Sequence, residues 1–281
     1  MSPPPQHIKR TILRVAHTER QFSLTGSSLD QSVVGPIDEA KGAWEPHVTK
    51  LMAGLIKADD ICLDIGANVG VYTLVMSDLA RNGHVYAFEA SSMNFAFLQK
   101  NIADNKLTNA IPHRLALSNR IRSGNFHYLP EIAGASFAED TSVERSPDQI
   151  IKEALGWTWQ RVTERVQFTT LDHWAAQTGI THVDFVKMDV EGSERFVIEG
   201  GQTTFKKYKP VLFTELNAKC LQQYFNLPPA SYFGALQALY PYIYVLQPGG
   251  VIQPVASFEA LSPSLTEQRF WADLLCMNRP L

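Results

Sequence analysis

Residues 61–70 read Ile61-Cys62-Leu63-Asp64-Ile65-Gly66-Ala67-Asn68-Val69-Gly70, and VYTLVMSDLA follows. An apolar run carries an acid near its end, passes through a turn with two glycines, and enters a stretch of helical spacing. Gly66 and Gly70 permit backbone angles that a Cβ resists and let a ligand approach the chain closely. A helix that begins there offers unpaired N–H groups and a partial positive charge. Working outward, ICLDIG, HVYAFEA, AIPHRLALS, VDFVKMDV and PVLFTEL are short runs separated by helix-like segments. Alternation of this kind predicts a parallel sheet wrapped by helices. The runs are apolar on both faces, as strands covered on both sides must be.

Upstream, EPHVTKLMAGLI has helical spacing, with Val48, Leu51, Met52 and Leu55 on one face, and RTILRVAHTERQFSLTG is a candidate strand pair. The Pro-rich opening residues are expected to be mobile. Downstream come YIYVLQ, a turn at Pro248-Gly249-Gly250 and a DLLCM strand. Residues 119–170 interrupt the alternation. Strand-like GNFHYLP and RVQFTTLDHWA flank a polar segment and the helix-like SPDQIIKEALGWTWQRVTERV. This excursion either caps the sheet or forms a lid over an acceptor.

The chain has 281 residues and a formal net charge of −3, which argues against a nucleic-acid partner recognised through a basic surface. Cys62, Cys220 and Cys276 lie inside apolar runs without CxxC spacing and read as small buried hydrophobes. No run approaches the roughly 18 apolar residues of a membrane span. MSPPPQHIKR lacks the pattern of a secretory signal, so the expectation is a cytoplasmic protein.

Dinucleotide sites want G-x-G-x-x-G. With Gly66 as the first glycine, Asn68 and Val71 occupy the other two positions, so the pattern fails twice. Asp64 suits a ligand bearing an amine, and S-adenosylmethionine carries an amino-acid end and a sulfonium. Glu89 ends the next run, about where an acid accepts hydrogen bonds from both ribose hydroxyls. Asn94 either starts the following helix or touches the cofactor.

The segments GAWEPHVTKLM, LDIGANVGVYTLVMS, GHVYAFEASSMNFAFLQKNIADN, LALS, TTLD, DFVKMDVEGSE and KPVLFTE, spread over about residues 40–216, resemble the FkbM family of S-adenosylmethionine-dependent methyltransferases. The resemblance implies a Rossmann-like α/β fold: a seven-stranded, mostly parallel sheet with an antiparallel last strand and helices on both faces. It implies residues 1–56 as an N-terminal extension and cap helix and residues 57–281 as the methyltransferase domain. It also implies O-methylation of a sugar or natural-product hydroxyl. Carried over by position, Asp64, Gly66, Asn68 and Gly70 border the amino-acid end of the cofactor, with Tyr72 and Thr73 in reach. Glu89 takes the ribose, followed by Ala90 where the family usually has Pro. Ala116, Leu117 and Ser118 border the adenine.

Asp189 and Glu191 end the fourth parallel run and Glu215 the fifth, where ligands of open sheets bind. Each is a candidate base for a hydroxyl acceptor or an orienting group for the methionine amine, and His47 beside Trp44-Glu45-Pro46 is a fourth candidate. Lys187 shares a strand face with Asp189. No metal is expected. The competing readings are a nicotinamide-dependent oxidoreductase and a non-catalytic cofactor-binding module.

Overall fold

Five parallel strands form the centre of the main sheet in the computed structural model, which describes residues 7–15, 20–138, 146, 148–149, 152, 161–247 and 249–281. A hairpin of β1 (Ile8–Arg14) and β2 (Gln21–Ser27) precedes them. The parallel strands are β3 (Ile61–Ile65), β4 (His84–Phe88), β5 (Ala110–His113), β10 (Phe185–Met188) and β11 (Val211–Asn217). The remaining strands of this sheet are β12 (Tyr242–Leu246), β13 (Ile252–Pro254) and β14 (Trp271–Met277). The order is β13-β12-β14-β11-β10-β3-β4-β5. The last strand is antiparallel as expected, inserted between β11 and β12. The expected count of seven is corrected to eight. The Pro248-Gly249-Gly250 turn, whose Pro248 lies outside the described residues, is followed by Ile252–Pro254 pairing back on β12.

Strand alternation sends Leu63, Ile65, Val186 and Met188 to one face and Cys62 and Phe185 to the other. The first face is covered by α5 (Leu171–Thr178), α6 (Glu194–Gly200), α7 (Gln202–Tyr208) and α9 (Pro229–Gln237) through Trp174, Val197, Phe205 and Tyr232. The second is covered by α1 (Val34–Glu39), α2 (Pro46–Leu55), α3 (Val71–Leu79) and α4 (Ser92–Asp104) through Ile37, Met52, Leu74 and Phe97. Between α6–α7 and α9 in sequence, α8 (Ala218–Phe225) continues directly from β11. All three cysteines are buried and free.

The N-terminal residues share the core of the sheet: Leu13, Phe22 and Leu24 pack in the same cluster as Cys62 and Phe185. Asn101 on α4 fastens them, donating to the carbonyls of Thr25 and Val69 at 2.8 and 2.7 Å and accepting from the Thr25 amide at 2.8 Å.

The excursion supplies a second sheet of β7 (Arg122–Leu129), β8 (Ile132–Ala138) and β9 (Val162–Thr169), joined by the short β6 (Ala116–Leu117), in the order β6-β9-β7-β8. Trp157, Trp159 and most of the helix-like stretch around them lie outside the described residues, as do the opening prolines. Among the described residues no helix is long and apolar enough to cross a membrane.

Candidate active site

The ends of β3, β4, β10 and β11 open into a cavity of about 820 Å³, walled on its far side by β7, β8 and β9. Among the residues expected from sequence, Gly66, Asn68, Tyr72, Glu89, Ala90, Leu117, Ser118, Asp189, Glu191 and Glu215 line it. Asp64, Gly70, Thr73, Asn94 and His47 do not.

The turn after β3 bends through three left-handed residues, Gly66 (φ 80°), Asn68 (φ 52°) and Gly70 (φ 95°). A Cβ at Gly66 would overlap the carbonyl oxygen of Asp189, so the neighbouring strand end by itself requires the glycine. The amides of this turn are already engaged. Gly66 and Ala67 donate to the Phe88 carbonyl at 3.0 and 2.9 Å, and Asn68 donates to Glu89 Oε2 at 2.9 Å. Glu89 Oε1 accepts from the Ser91 amide at 2.8 Å. Glu89 therefore ties the two strand-to-helix turns together. Burial raises its pKa to about 7 against the lowering effect of those two amides. A carboxylate has about four acceptor sites, so room remains for two hydroxyls.

Beside Glu89, Ala90, Leu117, Phe126 and Phe168 form an apolar slot with Ser118 at its rim, and the Arg122 guanidinium stacks 3.9 Å from the Phe168 ring centre. Ser91, not Asn94, caps α4, accepting from the Asn94 amide. The slot, the carboxylate and the adjacent glycine turn fit the adenine, ribose and amino-acid end of S-adenosylmethionine.

Asp64 is fully buried on β3, level with Lys187 on β10, and accepts from Thr73 Oγ1 at 2.5 Å. It is shut off from the cavity and braces α3. His47 sits against the Gly250 turn. The glutamate two residues before it turns into the cavity instead. Glu45 precedes Pro46, the first residue of α2, and adopts a left-handed conformation (φ 36°) that directs its carboxylate to the Tyr72 hydroxyl, which donates to it. Burial among the cavity walls raises the Glu45 pKa, tempered by Tyr72. Glu45 was not among the expected site residues. Its sequence signal is an acid before a proline that starts a helix.

The opposite end is acidic. Lys187, 5% exposed, holds Asp189 at 3.4 Å. Burial lowers the Lys187 pKa, but Asp189 and Asp64 outweigh it and the net shift is upward. Glu191 is also left-handed (φ 52°) and accepts from Cys220 Sγ at 3.3 Å. Burial and then Asp189 push its pKa up to about 8. The same causes hold Glu215, which accepts from Asn217 Nδ2 at 3.1 Å, well above the ordinary range. Glu194 is buried and accepts from the Val190 amide at 2.8 Å, fixing the Glu191 turn. Trp44, Phe137, Phe196, Phe225 and Trp271 complete this end, and Ser32 Oγ accepts from the Gly134 amide at 3.0 Å to close the N-terminal segment onto β8. Among the described residues no three His, Cys, Asp or Glu side chains are placed to hold a metal ion.

The methyltransferase FkbM domain matches residues 64–230, more than half of the chain. A 2-O-methyltransferase, NoeI, of Sinorhizobium fredii is 27% identical over 168 residues, covering 59% of this chain and 67% of that protein. A hexuronic acid methyltransferase, AglP, of Haloferax volcanii is 28% identical over 156 residues, 56% of each. The crystal structure of an FkbM methyltransferase from Methylobacillus flagellatus aligns with a TM-score of 0.45 at 15% identity, over 79% of this chain and 44% of that one. The chain thus spans about two thirds of the first relative, little over half of the second and under half of the solved chain.

Proposed function

The chain belongs to the FkbM methyltransferase family, and from that premise we propose that it transfers the methyl group of S-adenosylmethionine to a hydroxyl of a saccharide. The observation that carries this reading is the single cavity running from the Glu89 carboxylate and its apolar slot to the carboxylates at the ends of β10 and β11. The names of the two relatives, one a 2-O-methyltransferase and one acting on a hexuronic acid, favour a sugar as acceptor. Five aromatic residues and several carboxylates at the acceptor end suit a ligand with apolar ring faces and many hydroxyls.

The cofactor supplies an activated methyl group on a sulfonium. The chain supplies position and a proton acceptor. Holding two reactants in line is worth roughly 7–11 kcal/mol in well-oriented systems. Glu191 is the base in this reading, because a carboxylate with a pKa of about 8 is near neutrality and matched to a hydroxyl. Glu215, whose pKa burial and Asp189 hold well above the ordinary range, faces the acceptor, and the Lys187–Asp189 pair holds the strand end rigid. The described part of the excursion, β7 to β9, forms the acceptor wall. Incubation with methyl-labelled S-adenosylmethionine and a panel of neutral, amino and uronic saccharides tests the proposal. Label in a saccharide is expected, and a protein that binds the cofactor but labels only non-sugar hydroxyls would overturn the saccharide assignment.

A further inference from the structure

We propose that Glu45 binds the α-ammonium of the cofactor's amino-acid end, the role that sequence reasoning gives to Asp64. The inference rests on the reading that S-adenosylmethionine occupies the cavity. Besides Glu89, which the Asn68 and Ser91 amides engage, Asp64, Asp189 and Glu45 stand near the Gly66–Asn68 turn. Asp64 is fully buried and absent from the cavity wall; its Oδ2 accepts from Thr73, while its Oδ1 finds no hydrogen-bond partner among the described residues. Asp189 lies against the Lys187 ammonium. Glu45 faces the cavity, and its carboxylate accepts from Tyr72, a residue of the helix that leaves the glycine turn. That bond aims the carboxylate at the space beyond the turn, where a primary ammonium finds a hydrogen-bond acceptor in a poorly hydrated site. The Lys187 ammonium lies over the Tyr72 ring, 5.2 Å from its centre, and interacts electrostatically with Glu45. A left-handed backbone at a glutamate is costly and persists where the surroundings hold it. Glu45 lies upstream of residues 64–230, the stretch that the FkbM domain matches.

Calorimetry with two probes tests the assignment. S-adenosylhomocysteine carries the amino-acid end, and 5′-methylthioadenosine lacks it. Glu45→Gln is expected to weaken the first by about 10- to 100-fold, the size of one charge-assisted hydrogen bond, and to leave the second unchanged. Tyr72→Phe is expected to cause a smaller loss with the same selectivity. Equal losses for both probes, or no loss for either, would overturn the proposal. So would a selective loss in Asp64→Asn without one in Glu45→Gln. A wild-type protein that binds neither probe would overturn the cofactor reading itself, a separate outcome from the loss of selectivity.

Discussion

The two ends of the cavity are built in different ways. At the Gly66–Glu89 end the wall comes from two consecutive strand-to-helix turns, and most contacts are backbone amides meeting one carboxylate or one carbonyl. At the acceptor end the wall is gathered from Ser32, Trp44, Phe137, Glu191, Glu215 and Trp271, which come from six separate segments. The first end is local and rigid, and it suits a ligand of fixed shape. The second depends on the N-terminal segment and β8 closing over the sheet, so its shape can change with few substitutions elsewhere. A common cofactor and a variable acceptor call for this division.

Substitutions at the two ends should therefore fail differently. The largest effect is expected for Gly66→Val. Its Cβ meets the Asp189 backbone and its φ of 80° is strained for a branched residue, so the variant should lose fold stability along with binding. Thermal unfolding at the wild-type midpoint would show that the turn relaxes and that the cofactor end is less rigid than described. Next, Glu191→Gln should lower turnover by roughly 10²–10⁴-fold while S-adenosylhomocysteine affinity stays nearly unchanged. In the wild type, turnover should rise with pH through about 8 as Glu191 loses its proton, and the variant should lack that rise. A pH profile shared by both would move the base elsewhere.

On the proposed reading, Glu89→Ala removes hydrogen bonds to the ribose worth roughly 1.5–3 kcal/mol each, and it also frees the Asn68 and Ser91 amides. Affinity should fall and the melting temperature should fall with it, a coupling that an acceptor-end variant such as Trp271→Ala should not show. Measured by calorimetry and melting together, a Glu89 variant that loses affinity alone would separate the ligand role from the structural one.

The smallest effect concerns pH and stability. Burial raises Glu89, Glu194 and Asp273 to about 7, above their ordinary values. The folded state then binds more protons than the unfolded state between the ordinary carboxyl range and pH 7. Stability should be greatest below that window and fall as pH rises through it. Melting curves from pH 5 to 8 should move downward, and bound S-adenosylhomocysteine should reduce the Glu89 share. An upward trend over this range would contradict the burial of these acids.

Much of the fold is legible in the sequence. Alternating apolar runs mark the parallel strands because a strand buried on both faces has no polar side, and Gly66, Gly70 and Glu89 are recognisable because a turn and a ligand constrain the chain within a few residues of each other. The strand count was not readable. Ile252–Pro254 is only three residues long and is ordered by pairing with β12, which carries no periodic signal. Nor was the direction of a carboxylate. Asp64 and Glu45 are both acids next to family-like motifs, yet Thr73 and the strand pairing seal one inside while Pro46 and a left-handed backbone turn the other into the cavity. Sequence alone determined which residues end strands and where the chain must turn, because those depend on neighbours along the chain. Only the tertiary structure decided which acids meet the ligand, because burial and electrostatic surroundings depend on segments far apart in sequence that pack against one another.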